Sequence, residues 1–201
     1  MTQGKTAKHA GENSSSIPDG GAKRISVFGG SSPRPGDAAY QQAYDVGHLL
    51  GKAGHTVITG GYIGTMEAVS RGAAEAGGHV VGATCDEIEQ WRPVQPNQWV
   101  IEEIRFHSLG ERLHYLIEAC DGALALPGGI GTLAEIAVMW SHLQTGVISP
   151  RPLILIGAEW QGTFVRFIDD FAHYVKPEHR GLLFYAPDVE RAFERLQEII
   201  G

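Results

Sequence analysis

The chain has 201 residues, 43% hydrophobic and 19% charged, a balance that is ordinary for a globular domain with one sizeable core. The formal net charge of −7 and the lack of a long basic run argue against general binding to nucleic acid. No apolar run approaches the roughly 18 residues that a membrane-spanning helix needs. Cys85 and Cys120 do not form a Cys-x-x-Cys pair. We therefore expect a reducing, cytoplasmic setting without disulfides.

The first 22 residues differ in composition from the rest of the chain. They are rich in glycine, serine and lysine and lack an apolar segment. They predict a disordered tail rather than a secretory signal. The folded part is expected to span residues 23–201 as a single domain, since no internal repeat or second core is evident.

From Arg24 onward, short apolar segments alternate with segments of helical periodicity. The predicted strands are 25–28, 55–58, 79–83, 99–101, 122–126, 153–156 and a segment near 182–185. The predicted helices are 37–53, 64–76, one after Ser108, 130–143, one near 162–173, and 188–200. Residues 85–98 are expected to form an irregular loop over one edge of the site. This alternation predicts an α/β, Rossmann-like, doubly wound parallel sheet with helices on both faces.

The helix after residue 108 has a clear start signal. Ser108 and Glu111 match the S-x-x-E capping box. Helical spacing then predicts an apolar buried face that leaves Arg112 and Tyr115 off it. That face consists of Leu109, Leu113, Leu116 and Ile117.

Three strand-to-helix turns are rich in glycine, and in a parallel sheet such turns meet at the carboxyl edge. A single turn of this kind is as readily structural as functional, but three on one edge predict a nucleotide or sugar-phosphate site. None matches the dinucleotide or P-loop fingerprint. The candidate binding residues are Gly30, Ser31, Ser32, Gly60, Gly61, Gly64, Thr65, Pro127, Gly128, Gly129, Gly131 and Thr132.

A carboxylate follows the third turn. Glu135 lies one turn into the predicted helix, and long helical side chains lean back toward the N-terminus. It can act on a bound phosphate ester, or it can be an acid that merely favours the helix dipole. Arg112 on its own can be a solvated helix residue. A pairing of Arg112 with Glu135 near a phosphate would make both of them functional.

Other chemistries have little support in the sequence. The histidines show no metal-ligand spacing, so we expect no metal site. No G-x-S-x-G elbow occurs, and Ser31 and Ser32 are therefore better phosphate or ribose ligands than nucleophiles. No lysine lies at a glycine turn, which argues against pyridoxal phosphate chemistry.

The segment Pro127–Glu135 reads P-G-G-I-G-T-L-A-E and fits PGGxGTxxE, the signature of the LOG family, once labelled lysine decarboxylase. Residues 27–32 and 60–66 are similar to two further glycine segments of the family, and Glu111-Arg112 matches its E-R pair. The resemblance covers residue 24 to the C-terminus. It implies a phosphoribohydrolase that splits nucleoside 5′-monophosphates, cytokinin ribotides among them, into a free base and ribose 5-phosphate.

The resemblance also implies roles and partners. It maps the essential catalytic pair onto Arg112 and Glu135, requires no metal or organic cofactor, and implies an AMP-like substrate and a homodimer. Leu113 stands where cytokinin-cleaving members usually have lysine, which resembles a divergent bacterial branch with relatives described as molybdenum-cofactor carriers. A non-catalytic carrier of such a phosphorylated cofactor is therefore the alternative.

A possible dimer surface can also be read from the sequence. The apolar residues concerned are Leu116, Val138, Met139, Trp140 and Leu143. They are either spare surface for a dimer or ordinary core.

Overall fold

The computed structural model describes residues 21–201, so the predicted tail lies outside the described residues except for Gly21 and Ala22. The strands are β1 (Arg24–Phe28), β2 (Thr56–Thr59), β3 (Val80–Cys85), β4 (Glu102–Phe106), β5 (Gly122–Ala125), β6 (Leu153–Ile156) and β7 (Phe184–Ala186). The helices are α1 (Ala38–Lys52), α2 (Thr65–Glu75), α3 (Asp86–Trp91), α4 (Leu109–Glu118), α5 (Ile130–Thr145), α6 (Ala158–Asp170), α7 (Pro177–Arg180) and α8 (Val189–Ile200).

The strands form one parallel sheet in the order β4-β3-β2-β1-β5-β6-β7. Ile25 of the central strand β1 lies beside Val57 of β2 on one side and Gly122 of β5 on the other. The chain builds outward from β1 in one direction as far as β4 and then crosses to β5 on the opposite side. The predicted doubly wound α/β fold is confirmed, and the β1–β5 gap is its topological switch point, where open sheets bind ligands.

Helices cover both faces of this sheet. On one face, α1, α2 and α8 bury small and branched side chains such as Ala43, Val69 and Leu196. On the other, α4, α5 and α6 bury larger residues such as Met139 and Trp160. Apolar area removed from water on both faces stabilises the strands that carry the glycine turns.

Two predicted segments differ from the structure. Residues 85–98 contain α3, whose first turn carries Asp86, Glu87 and Glu89, acids that favour a helix N-terminus. The strand predicted at 99–101 begins instead at Glu102. Because β4 is an edge strand with charged, largely exposed side chains, it lacks the apolar run on which the prediction relied.

Near the C-terminus, the helix predicted near 162–173 begins earlier, at Ala158, and α7 was not predicted. Among residues 21–201, no helix combines the length and apolar character needed to cross a membrane.

Helix α4 confirms the capping box but corrects the predicted buried face. Glu111 N donates to Ser108 Oγ at 3.2 Å, and Ser108 N donates to the Glu111 carboxylate at 3.0 Å. Leu116 is buried as expected, whereas Leu109 is 50% exposed and Arg112 only 6% exposed. The interpretation of Arg112 as off the buried face is wrong, because the first turn of α4 lies over the carboxyl end of β3, where Arg112 donates to Ala83 O.

The apolar residues of α4 and α5 that could have formed a dimer surface are largely buried within one chain. The residues buried in the core of one chain are Leu116, Met139, Trp140 and Leu143, and Val138 packs against the same core. The structure therefore places Leu116, Met139 and Leu143 in ordinary core, whereas Trp140 also lines a surface groove. The oligomeric state itself is a separate question.

The capping box provides a test of local stability. Ser108→Ala removes the side-chain acceptor from α4, so the free energy of unfolding should fall by about 1 kcal/mol. Urea denaturation measures this fall, with Ser149→Ala in an exposed loop as the matched control. An unchanged midpoint for Ser108→Ala would mean that water replaces the cap at no cost.

Candidate functional site

A cleft of about 380 Å³ opens at the carboxyl edge of the sheet. It brings together residues of all three predicted glycine turns, the first turn of α5, and two residues of α4, Leu109 and Arg112. The predicted residues that line it are Gly30, Ser31, Ser32, Gly129, Gly131, Thr132, Arg112 and Glu135. Both members of the predicted catalytic pair thus share one cavity with the predicted phosphate-binding backbone.

The other predicted residues lie outside the lining of the cleft, and some of them join the turns to one another. Gly30 N donates to Pro127 O at 3.2 Å, and Thr65 N donates to Gly30 O at 2.9 Å. A Cβ at Gly128 would lie 2.8 Å from Gly30 N, so these two turns can approach only without a side chain there. The predicted residues outside the lining are Gly60, Gly61, Gly64, Thr65, Pro127 and Gly128.

The first turn of α5 presents backbone donors to the cleft. Its N-cap, Gly129, offers no side-chain cap, and no acidic residue occupies the first turn. Ile130 is largely exposed and points away from the core. An uncapped helix start with glycines on either side is suited to an anion such as a phosphate, through N–H donors and the helix dipole.

Arg112 is held in a fixed orientation beneath the cleft. Its Nε donates to Ala83 O at 2.6 Å, and its guanidinium carbon lies 5.9 Å from the centre of the Tyr62 ring. A Cβ at Gly60 would overlap the guanidinium, so this glycine makes the room that Arg112 occupies. Burial lowers the pKa of Arg112, and the charge of Glu135 opposes that shift.

Glu135 is the second charged group of the cleft. Burial raises the pKa of its carboxyl to about 7, although the positive charge of Arg112 acts in the opposite direction. Within residues 21–201, no direct ion pair joins it to Arg112. The carboxyl is thus held near its titration point at neutral pH, a state suited to proton transfer or to stabilising a developing positive charge.

Sequence reasoning missed a set of residues that complete the walls of the cleft. The missed residues are Gly29, Tyr62, Met66, Ile88, Trp91, Arg92, Leu109 and Ile130. Tyr62 could have been found, because it lies inside a predicted glycine turn. Its hydroxyl accepts from Cys85 N at 2.7 Å and donates toward Glu89, which ties the turn to α3. The expectation that residues 85–98 cover one edge of the site is correct, although they do so with a helix.

Metal chemistry gains no support from the described residues. Across 21–201, no group of three or more histidine, cysteine, aspartate or glutamate side chains is placed to hold a metal ion. Cys85 and Cys120 are both free thiols and buried.

The cleft and fold can be compared with known proteins. A family model described as the SLOG cluster4 family matches residues 22–159. A probable cytokinin riboside 5′-monophosphate phosphoribohydrolase from Oryza sativa subsp. japonica is 32% identical, covering 89% of this chain and 73% of its own length. A cytokinin riboside 5′-monophosphate phosphoribohydrolase from Rhodococcoides fascians is 26% identical, covering 87% and 89%.

Among solved structures, the molybdenum cofactor binding protein from Rippkaea orientalis is similar. It has a TM-score of 0.71 and 23% identity, and the match covers 90% of this chain and 98% of that one. At this level of identity, the likeness shows the shared fold.

The raised pKa of Glu135 predicts a stability effect that does not depend on any reaction. Between pH 4.5 and about 7 the folded chain binds more protons at this site than the unfolded chain, so its stability falls as pH rises. Glu135→Gln has no carboxyl at this position and so does not lose stability in this way. The difference in free energy of unfolding between Glu135→Gln and the unsubstituted protein should therefore shift in favour of the variant from pH 5 to pH 8, by on the order of 1–3 kcal/mol.

Urea denaturation at both pH values measures this difference. Glu118→Gln, at an exposed position of α4, is the control and should show little pH-dependent gain. An equal gain in both variants would contradict a raised pKa of the carboxyl at residue 135.

Proposed function

Since the chain belongs to the SLOG cluster4 family, we propose that it is a nucleoside 5′-monophosphate phosphoribohydrolase. The proposal rests above all on one observation, that a half-buried carboxyl at Glu135, without an ion-pair partner and with a raised pKa, shares a cleft with an uncapped helix start and with Arg112. The named relatives in rice and Rhodococcoides fascians support the same reaction class.

The phosphate of the substrate is assigned to the switch point of the sheet. The first turn of α5 supplies N–H donors, the hydroxyl of Thr132 lines the same wall, and Ser31 and Ser32 face it from the turn after β1. These groups bind a phosphate through local donors despite the acidic net charge of the chain. A purine nucleoside 5′-monophosphate is therefore the expected partner, with no cofactor.

The ribose then lies over Glu135. As the C1′–N bond lengthens, its electron pair leaves with the base and the sugar acquires positive charge. The Glu135 carboxylate stabilises that charge and takes a proton from water as the water oxygen bonds to C1′. The departing base takes up a proton from solvent water, and Glu135 releases to solvent the proton that it gained, so that the products are the free base and ribose 5-phosphate. Arg112, beneath the cleft, donates hydrogen bonds to the substrate. Its orientation is set by the hydrogen bond from Nε to Ala83 O and by the space that Gly60 leaves for the guanidinium.

Product chromatography with a panel of nucleoside 5′-monophosphates, including a cytokinin ribotide, tests this function. The unsubstituted protein should release free base, and Glu135→Gln should lower kcat/KM by at least roughly 100-fold. Activity should rise with pH through about 7, because the carboxylate form is required. Glu118→Gln is the control and should retain full activity.

The absence of base release from every monophosphate would refute the hydrolase. The alternative is a carrier of a phosphorylated cofactor such as the molybdenum cofactor, which is the ligand named for the protein from Rippkaea orientalis. A carrier would use the same phosphate-binding turns but would not need an ionisable group at residue 135. Tight binding of a phosphorylated pterin that survives Glu135→Gln, without turnover, would favour the carrier.

A homodimer is a further part of the proposal. Beside α5 and α6, an apolar groove of about 540 Å³ is lined by Trp140, Phe164 and Phe167. Tyr174 on the same groove is 84% exposed, so this surface, rather than the core side chains of Leu116, Met139 and Leu143, is available to a second copy. Sedimentation analysis should show a dimer that Phe167→Glu converts to a monomer, with exposed Val165→Glu as the control. A monomer in the unsubstituted protein would contradict this assignment.

A further inference from the structure

The wall of the cleft farthest from the phosphate turns has no role in the reaction as described. It is formed by the C-terminal end of α3 and the start of α4, through Ile88, Trp91, Arg92 and Leu109. Trp91 is 79% exposed, which is unusual for so large an apolar side chain unless it contacts a ligand or partner. This group is called the α3 wall below.

Sheet topology places the α3 wall at the base end of a nucleotide. The phosphate-binding turns follow β1 and β5, whereas α3 follows β3, two strands from β1 and three from β5. With a strand spacing near 4.8 Å, those separations are about 10 and 14 Å. A nucleotide whose phosphate lies at the switch point and whose ribose lies over Glu135 therefore extends its base toward α3.

Although α3 is a short surface helix, ion pairs and a hydrogen bond hold the α3 wall in place. Arg105 of β4 donates to Asp86 at 2.7 Å and to Glu89 at 2.6 Å, both on α3. Glu87 accepts from Leu109 N at 2.8 Å, which fastens α3 to the start of α4. Rigidly held groups recognise a ligand without a large ordering cost on binding.

Arg92 supplies the polar group of this wall. Its Nε is shielded from solvent and has no hydrogen-bond partner among residues 21–201. None of the ion pairs between described residues includes Arg92, and its guanidinium carbon lies 5.6 Å from the centre of the Trp91 ring. Because Arg92 lines the cleft and its side chain makes no hydrogen bond to the described residues, its terminal guanidinium nitrogens are available to a ligand.

We propose that the α3 wall recognises the base, with Trp91 as a stacking surface and Arg92 as a donor that selects purines carrying an oxo group. This inference rests on the proposed function, because it assumes a nucleoside 5′-monophosphate in the cleft. A guanidinium has five N–H donors and no acceptor. It pairs with the O6 and N7 acceptors of guanine or hypoxanthine, whereas the 6-amino group of adenine presents a donor to it.

The experiment measures binding to Glu135→Gln, so that turnover is not required. Calorimetry with GMP, IMP, AMP and ribose 5-phosphate gives the share of affinity that the base contributes. GMP and IMP should bind at least about fivefold tighter than AMP, and Arg92→Met should remove that preference. Trp91→Ala should weaken all three nucleotides and leave ribose 5-phosphate unchanged. Arg166→Met, on the exposed face of α6, is the matched control.

Two results would overturn the inference. If Arg92→Met weakens ribose 5-phosphate as much as GMP, Arg92 contacts the phosphate and not the base. If the nucleotides bind no tighter than ribose 5-phosphate, the α3 wall does not contact the base. The failure of the hydrolase proposal is a separate outcome, since it appears as missing base release in the unsubstituted protein while binding preferences persist.

Discussion

The burial of Arg112 is the constraint on which the rest of the site depends. A guanidinium removed from water is costly unless hydrogen bonds and an opposite charge compensate it. Here Nε is satisfied by Ala83 O, the aromatic face of Tyr62 lies nearby, and Glu135 contributes charge at longer range. The same arrangement leaves Glu135 without a direct partner, so its carboxyl keeps a pKa near neutrality and stays available to a ligand.

The second structural requirement of the site is that the backbones of its strand-to-helix turns approach one another closely. The turns after β1, β2 and β5 are joined by hydrogen bonds from Gly30 and Thr65. Side chains at Gly60 or Gly128 would occupy the space of Arg112 or of the neighbouring turn. Several glycines that look like ligand-binding residues in the sequence therefore lie outside the lining of the cleft. They permit the approach of the residues that line it.

The two ends of the cleft differ in how they are built. The phosphate end consists of backbone donors on solvent-accessible turns at the switch point of the sheet, and it resembles sites that bind many phosphorylated ligands. The opposite end consists of side chains on a short helix fastened by Arg105 to the edge strand β4. This division explains how one fold can serve related ligands, since the side chains of α3 can vary without disturbing the phosphate turns.

The fold class and the position of the site can be predicted from the sequence alone, because the patterns that indicate them are local. Alternating apolar strands and helical segments predict the doubly wound sheet, the capping box fixes the start of α4, and glycines after strands locate the site at the carboxyl edge. What the tertiary structure decided depends on contacts between distant segments. Helical spacing placed Arg112 on an exposed face, but the position of α4 over the carboxyl end of β3 buries it. The edge strand β4 and the helix α3 have no apolar pattern in the sequence. The wall formed by Trp91 and Arg92 is therefore evident only in the tertiary structure.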